Sequence, residues 1–171
     1  MMTFEIGEKV VYPNQGIGMI ENISSRSFGT QFEKFYLLRL LYHSITVTVP
    51  FSNVTNIGLR KITRQNDANR VLTYLAAPGE PDLHVDWKSR FKENTDKMQS
   101  GSLLQVAEVM KSLLMLQRDK VLSFREKKML DRSRYLLVSE LATVKNVPDK
   151  GAETLIDKSL ANSRLKLPEL D

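Results

Sequence analysis

An α+β fold, a small bent antiparallel sheet followed by an all-α part, is predicted by two features of the 171 residues. Up to Ile62 short apolar segments, one of them in strict alternation, are separated by tight-turn residues, and beyond it apolar residues recur at three and four, the period of an amphipathic helix. The length suits one medium domain or two small ones, each with its own core, and the change of period divides the chain into residues 1–62 and 63–171.

The strands come first. Val10-Val11-Tyr12-Pro13 reads as a short strand, Asn14-Gln15-Gly16 as a turn, Ile17 to Phe28 as a second strand and Gly29-Thr30 as the next turn. Phe35 to Leu41 makes a third strand. Ser44 to Pro50 is the clearest, with Ile45, Val47 and Val49 on one face and Thr46 and Thr48 on the other. Gly58 to Ile62 is short enough to close the set. So many short strands in about sixty residues predict a strongly bent sheet or partly closed barrel.

The helices follow. Asp67 to Ala77 carries Val71, Leu72 and Leu75, and Ala77-Pro78-Gly79-Glu80-Pro81 breaks it. Asp86 is suited to cap a helix opening at Trp87 and running to about Ser100, with Gly101 as its stop. Ser102-Leu103-Leu104-Gln105 and Ser123-Phe124-Arg125-Glu126 are two capping boxes, the second opening the longest helix, to about Lys145. Pro148 suits the first turn of a last helix through Leu160, and the tail to Asp171 is expected to fray.

Composition removes several function classes. Without cysteine there is no disulfide, thiolate metal site or cysteine nucleophile. No apolar run nears the length of a spanning helix and the N-terminus lacks the pattern of a secretory signal, so a cytoplasmic protein without a membrane partner is expected. The net charge of +5 is spread, six Lys/Arg against four Asp/Glu up to Ile62 and nineteen against sixteen after it. A partner with phosphates fits, but a protein holding duplex DNA by charge alone would carry a larger excess.

Gly16-Ile17-Gly18 precedes a strand rather than a helix N-terminus, so it serves a turn and close backbone approach, not phosphate binding. Asp82, His84 and Asp86 alternate, yet Asp86 is wanted as a cap and no second cluster completes a metal site. His43 has no orienting carboxylate nearby in sequence. No catalytic residue, cofactor, metal or small-molecule substrate is indicated, and the chain reads as a non-enzyme. The Leu and Met stripes after Ser102 are expected to face one another in a bundle.

The only tryptophan stands in Asp86-Trp87-Lys88-Ser89-Arg90-Phe91-Lys92, among cations on a first helical turn. A lone Trp four residues before a Phe is most often core, with the cations as a solvated face. An aromatic among cations also suits a wedge against nucleic-acid bases while the cations hold phosphates. The stretch by itself leaves both readings open.

Taken together, Phe4 to Gly18 (FEIGEKVVYPNQGIG), Val49-Pro50, Gly58-Leu59-Arg60, Trp87 to Lys92, Ala107-Glu108-Val109 and Leu122 to Leu130 resemble the CarD/CdnL family of bacterial transcription regulators. The opening motif is shared with the polymerase-binding module of the transcription-repair coupling factor, and the helical half carries the specificity. The resemblance implies a Tudor-like sheet domain over residues 1–62 that docks on the β subunit of RNA polymerase. It implies a helical domain over 63–171 that meets promoter DNA, in a monomer associated with the nucleoid through polymerase. Trp87 falls on the family's minor-groove wedge at the upstream edge of the melted region, which stabilises the open complex. Arg90 and Lys92 fall on its basic positions, with Lys88 beside them. Arg26 matches a polymerase-contacting arginine of some members, Thr48 stands where some have a second arginine, and Pro50 lies in the same matched segment. The competing reading is an adaptor whose sheet and bundle each bind a protein, with no DNA contact.

Overall fold

At the first turn of the sheet, Asn14 and Gly16 both take positive φ, 64° and 105°, which reverses the chain within three residues. The computed structural model describes residues 3–79 and 86–169. Five strands follow in an antiparallel sheet of order β4-β3-β2-β1-β5: β1 Lys9–Tyr12, β2 Gly16–Phe28, β3 Gln31–Leu40, β4 Ile45–Pro50 and β5 Arg60–Lys61. Gly18 is needed for close approach, since a Cβ there would lie 2.6 Å from Leu38 Cδ1. The register shifts between Ile20 and Asn22, a bulge that bends β2.

Alternation then assigns the faces. Tyr36, Leu38 and Leu40 of β3 join Phe4, Val10, Ile20, Val49, Val54 and Leu59 in one core. Tyr36 organises it: its ring stacks on Phe51 at 4.2 Å, and its hydroxyl oxygen accepts the Phe4 N–H at 3.1 Å.

Two features of this unit depart from expectation. β3 begins at Gln31 rather than Phe35, because Gln31, Phe32, Glu33 and Lys34 pair with the polar end of β2 from Phe28 back to Ser25. A pairing partner, which no single segment reveals, extends the strand. Between β4 and β5 the chain makes a 3₁₀ turn, Phe51–Asn53, and a single helical turn, α1 Val54–Ile57, closed by Gly58 at φ 82°. Val54 is buried there.

The chain divides into two compact units, Met1–Ile62 and Thr63–Asp171. In the second, α2 Gln65–Ala76, α3 Trp87–Gln99, α4 Leu103–Asp119, α5 Phe124–Lys145 and α6 Asp149–Asn162 form the bundle. α4 packs against α2, α3 and α5, and α6 against α2 and α5. Leu75, Met110, Leu113, Leu137, Leu141, Ile156 and Leu160 have no exposed surface. The capping residues act as their sequence indicates. Asp86 accepts the Lys88 N–H at 3.1 Å, Ser102 the Gln105 N–H at 3.3 Å and Ser123 the Glu126 N–H at 3.2 Å, and Gly101 takes φ 82° after α3. Pro148 sits one residue earlier than expected, as the N-cap of α6.

The tail is not frayed as far as Glu169. Leu165 and Leu167 are each 5% exposed within the helical core, and Arg134 Nη1 donates to the Pro168 carbonyl at 2.7 Å. Two leucines spaced by two are too short a pattern to reveal a docked extended segment in the sequence.

Lys111, in the middle of α4, is only 2% exposed. Its ammonium donates to the Tyr74 and Ala77 carbonyls at 2.5 and 2.6 Å and lies 4.4 Å from the Tyr74 ring centroid. It therefore satisfies carbonyls at the C-terminal end of α2, the negative end of that helix. Burial pushes the Lys111 pKa below its ordinary value, and burial, aided by the Glu108 charge, pushes the Tyr74 hydroxyl up. Replacing Lys111 by Met is expected to cost roughly 1–3 kcal/mol in urea unfolding, since buried carbonyls lose their donor. The unfolded chain keeps the Lys111 proton to higher pH than the folded one, so this residue's contribution rises as pH climbs from the depressed value towards 10.5. The wild-type advantage over Lys111→Met should widen across that range, and a narrowing would contradict this account.

Candidate nucleic-acid interface

Helix α3 enters the core from its C-terminal side. Met98 and Asn94 are 3% and 4% exposed, Phe91 is half-buried, and Trp87 at the first turn is 47% exposed. The core reading of Trp87 fails because the same helical face, buried further along, emerges into solvent at its first turn. Its ring meets Phe91 edge to face, 6.3 Å between centroids at 65°.

Across from Trp87 lies the start of α5. Trp87, Ser123, Phe124, Arg125 and Glu126 line a cleft of about 440 Å³. Phe124 is 72% exposed, more so than Trp87, and Lys128 Nζ lies 4.6 Å over its ring. The exposed side chains of Lys88 and Lys92 on α3 and of Arg125, Lys127 and Lys128 on α5 supply positive charge at the two helix starts. Two exposed aromatics lining one cleft, with cations nearby, suit contact with a planar apolar group that carries anionic groups.

The four DNA-facing residues read from the sequence thus separate. Lys88 is exposed beside Trp87. Lys92 is exposed and pairs with Asp96 at 3.1 Å, a solvated pair one turn apart that costs little to exchange for a phosphate. Arg90 is different. Its Nε donates to Glu126 Oε2 at 3.1 Å, with side-chain exposures of 11% and 6% for the pair. The other carboxylate oxygen of Glu126 accepts the Ser123 hydroxyl at 3.1 Å. Where the sequence leads to the expectation of a charge presented to DNA, the Arg90 side chain lies largely out of solvent, with its Nε on a buried carboxylate. Further along α3, Lys97 bridges Glu93 at 3.6 Å and Glu108 of α4 at 3.1 Å. Burial alone would lower the Lys97 pKa, but hydrogen bonds and the charges of Glu108 and Glu93 raise it above the ordinary value.

Phe124, Arg125 and Lys128 were not read as site residues from the sequence, although a signal was present. Asp86-Trp87-Lys88 and Ser123-Phe124-Arg125 share one pattern, a capping residue, an aromatic at the first helical position and a cation. Phe124 also stands off the Met129 and Leu130 stripe of its own helix.

On the sheet, register places Arg26 opposite Glu33, Thr48 opposite Leu37 and Pro50 opposite Phe35. Opposed residues share a face, so all three lie on the side away from the core. Arg26 and Thr48 are exposed, Pro50, Phe35 and Leu37 are half-buried, and Phe28, on Arg26's face two residues on, is 55% exposed. His43 stands edge-on to Tyr42 in the β3–β4 turn. Asp82 and His84 lie outside the described residues. Among the described residues no group of His, Asp and Glu is arranged to hold a metal ion, and no helix is long and apolar enough to cross a membrane.

Comparison with known proteins bears on both units. Residues 4–63 match the family described as the CarD-like/TRCF RID domain, and residues 70–157 match CarD, C-terminal domain. The chain is 34% identical over 147 residues to "Putative transcription factor YdeB" of Bacillus subtilis (strain 168), covering 86% of this chain and 95% of that protein. Among solved structures, CdnLNt from Myxococcus xanthus is 35% identical, covering 36% of this chain and 87% of its own, with a TM-score of 0.31. The 72-residue N-terminal domain of Myxococcus xanthus CarD is 33% identical over 36% of this chain and 81% of its own, with a TM-score of 0.30. Two family matches in order, one to each unit, and a relative that matches nearly from end to end lead to one conclusion: the chain belongs to the CarD/CdnL family of bacterial transcription regulators.

Proposed function

We propose that the protein docks on the β subunit of RNA polymerase through the outward face of its sheet and stabilises the open promoter complex by setting Trp87 against parted bases at the upstream edge of the bubble. The observation that carries this reading is the exposure of Trp87, 47%, on a first helical turn that shares a cleft with a second exposed aromatic and with Arg125. A wedge needs no catalysis. It fits the widened, unstacked minor-groove junction better than closed duplex, so it shifts the equilibrium towards the open state by the difference in binding. Lys88 and Lys92 hold phosphates on either side. The modest charge of +5 is sufficient because docking on polymerase raises the local concentration of the helical unit near DNA.

For the polymerase contact, Arg26 and Phe28 provide an exposed cation and aromatic, continued by Phe35, Leu37, Thr48 and Pro50 across the strands. This apolar strip with a charged margin fits a protein partner. With Thr48 in place of an arginine, the exposed cations on this face include Arg26 and Arg39, the latter paired with Glu21 at 3.7 Å.

Two experiments test the two halves. Trp87→Ala should lower stability by only about 0.5–1.5 kcal/mol, the value of one edge-to-face aromatic contact, against roughly 3–5 kcal/mol for a core Trp. It should still shorten open-complex lifetime sharply, since base stacking is worth about 1–3 kcal/mol and is available only once the bases part. Lys88→Ala and Lys92→Ala should instead weaken closed and open complexes evenly and each reduce the salt slope of binding by about one. A large loss of melting temperature in Trp87→Ala, or an unchanged lifetime, would refute the wedge. For the sheet, Arg26→Glu should reduce capture of the β subunit with an unchanged melting curve, because a rim charge reversal affects encounter and pairing and little packing. Unchanged capture would remove Arg26 from the contact.

A further inference from the structure

We propose that Arg90 acts at this site by positioning and not as a phosphate contact: with Glu126 it forms a buried strut that fixes Trp87 and Phe124 on either side of the cleft. The inference rests on the proposed role of Trp87 and names what holds that residue in place. Arg90 lies one turn after Trp87 and Glu126 two residues after Phe124. The 3.1 Å bond between them therefore ties the first turn of α3 to the first turn of α5.

Each end of the strut is secured in turn. Glu126 is bound at its second oxygen by the Ser123 hydroxyl, and its own N–H donates to Ser123 Oγ, so the carboxylate is fixed relative to the backbone that carries Phe124. On α3, Asp86 accepts both the Lys88 N–H at 3.1 Å and the Ser89 hydroxyl at 3.0 Å, which fixes the turn that carries Trp87. The chain of bonds runs Asp86, first turn of α3, Arg90, Glu126, Ser123, first turn of α5. With side-chain exposures of 11% and 6% the pair is largely out of solvent, where the attraction between two charges at this distance is screened far less than in water. Nε is committed to Glu126, and with the Arg90 side chain only 11% exposed its guanidinium offers little open surface to a phosphate.

The two roles predict opposite signs for one conservative change. Glu126→Gln keeps the shape and the bond with Ser123 but removes the charge that engages Arg90. If Arg90 were a phosphate contact restrained by Glu126, this variant would release it, and DNA binding would tighten. If the pair is a strut, the cleft loosens and open complexes decay faster.

The test uses the full-length protein as Glu126→Gln, Arg90→Met and the two combined, with open-complex lifetime on a responsive promoter, the salt dependence of DNA binding, and acrylamide quenching of Trp87 without DNA. Each single variant should shorten the lifetime by about tenfold and the double variant by no more than either, as for two residues acting as one unit. The salt slope should stay at the wild-type value, and quenching of Trp87 should increase in all three. Tighter binding by Glu126→Gln, or a slope reduced by about one in Arg90→Met, would return Arg90 to the phosphates and overturn the strut. Should Arg90→Met fail to fold, Glu126→Gln decides by sign alone. Quenching that rises in the strut variants while Trp87→Ala leaves open complexes unaltered would uphold the strut and remove the wedge.

Discussion

One buried ion pair, Arg90 with Glu126, sets the geometry of the helical unit's exposed end. Ion pairs removed from water seldom add net stability, because the lost hydration of two charges offsets their attraction, whereas loss of a single partner costs roughly 3–5 kcal/mol. Such a pair contributes direction more than energy. Here it joins two helix starts whose aromatic side chains are exposed, and the Trp87 ring meets the half-buried Phe91 edge to face beside it. Helix α3 is anchored below by Met98 and by the bridge from Lys97 to Glu108, and above by Arg90. Between those anchors its burial falls steadily towards the N-terminus, which leaves Trp87 held but wet.

The start of α5 breaks a local rule in a way that points to function. Arg125, Lys127 and Lys128 crowd the positive end of the helix dipole, where acidic residues are the stabilising choice. Phe124 and Val121 are 72% and 87% exposed in the same few residues. Local choices that cost stability without any gain in packing tend to gather where a surface is used. On the proposed reading, phosphates and bases complete what the isolated chain leaves unsatisfied. The sheet unit shows the complementary arrangement, with Tyr36 and its partners closing one face and an apolar strip edged by Arg26 on the other.

The capping residues make the starts of three helices legible in the sequence. Asp86, Ser102 and Ser123 are short-range signals, acting within three residues, so a linear reading recovers them together with Gly16 and Gly18. What escaped depends on partners distant in sequence. β3 gains its first four residues from pairing with β2, and Leu165 and Leu167 are buried because the bundle offers them a groove. Arg90 shows the same limit at the site. Its position on the helix is readable, but its partner lies 36 residues away, and only the fold turns a surface cation into a buried one. Phe124 escapes for another reason: a capping box draws attention to Ser123 and Glu126 and not to the aromatic between them.

The most direct test of the central claim reads the bases themselves. A promoter carrying 2-aminopurine at the upstream edge of the bubble, melted by RNA polymerase, reports stacking as loss of fluorescence. Addition of the wild-type protein should quench it, and Trp87→Ala, bound to the same complex, should not. Equal quenching by both proteins, or none by the wild type in complexes it has demonstrably joined, would contradict the account.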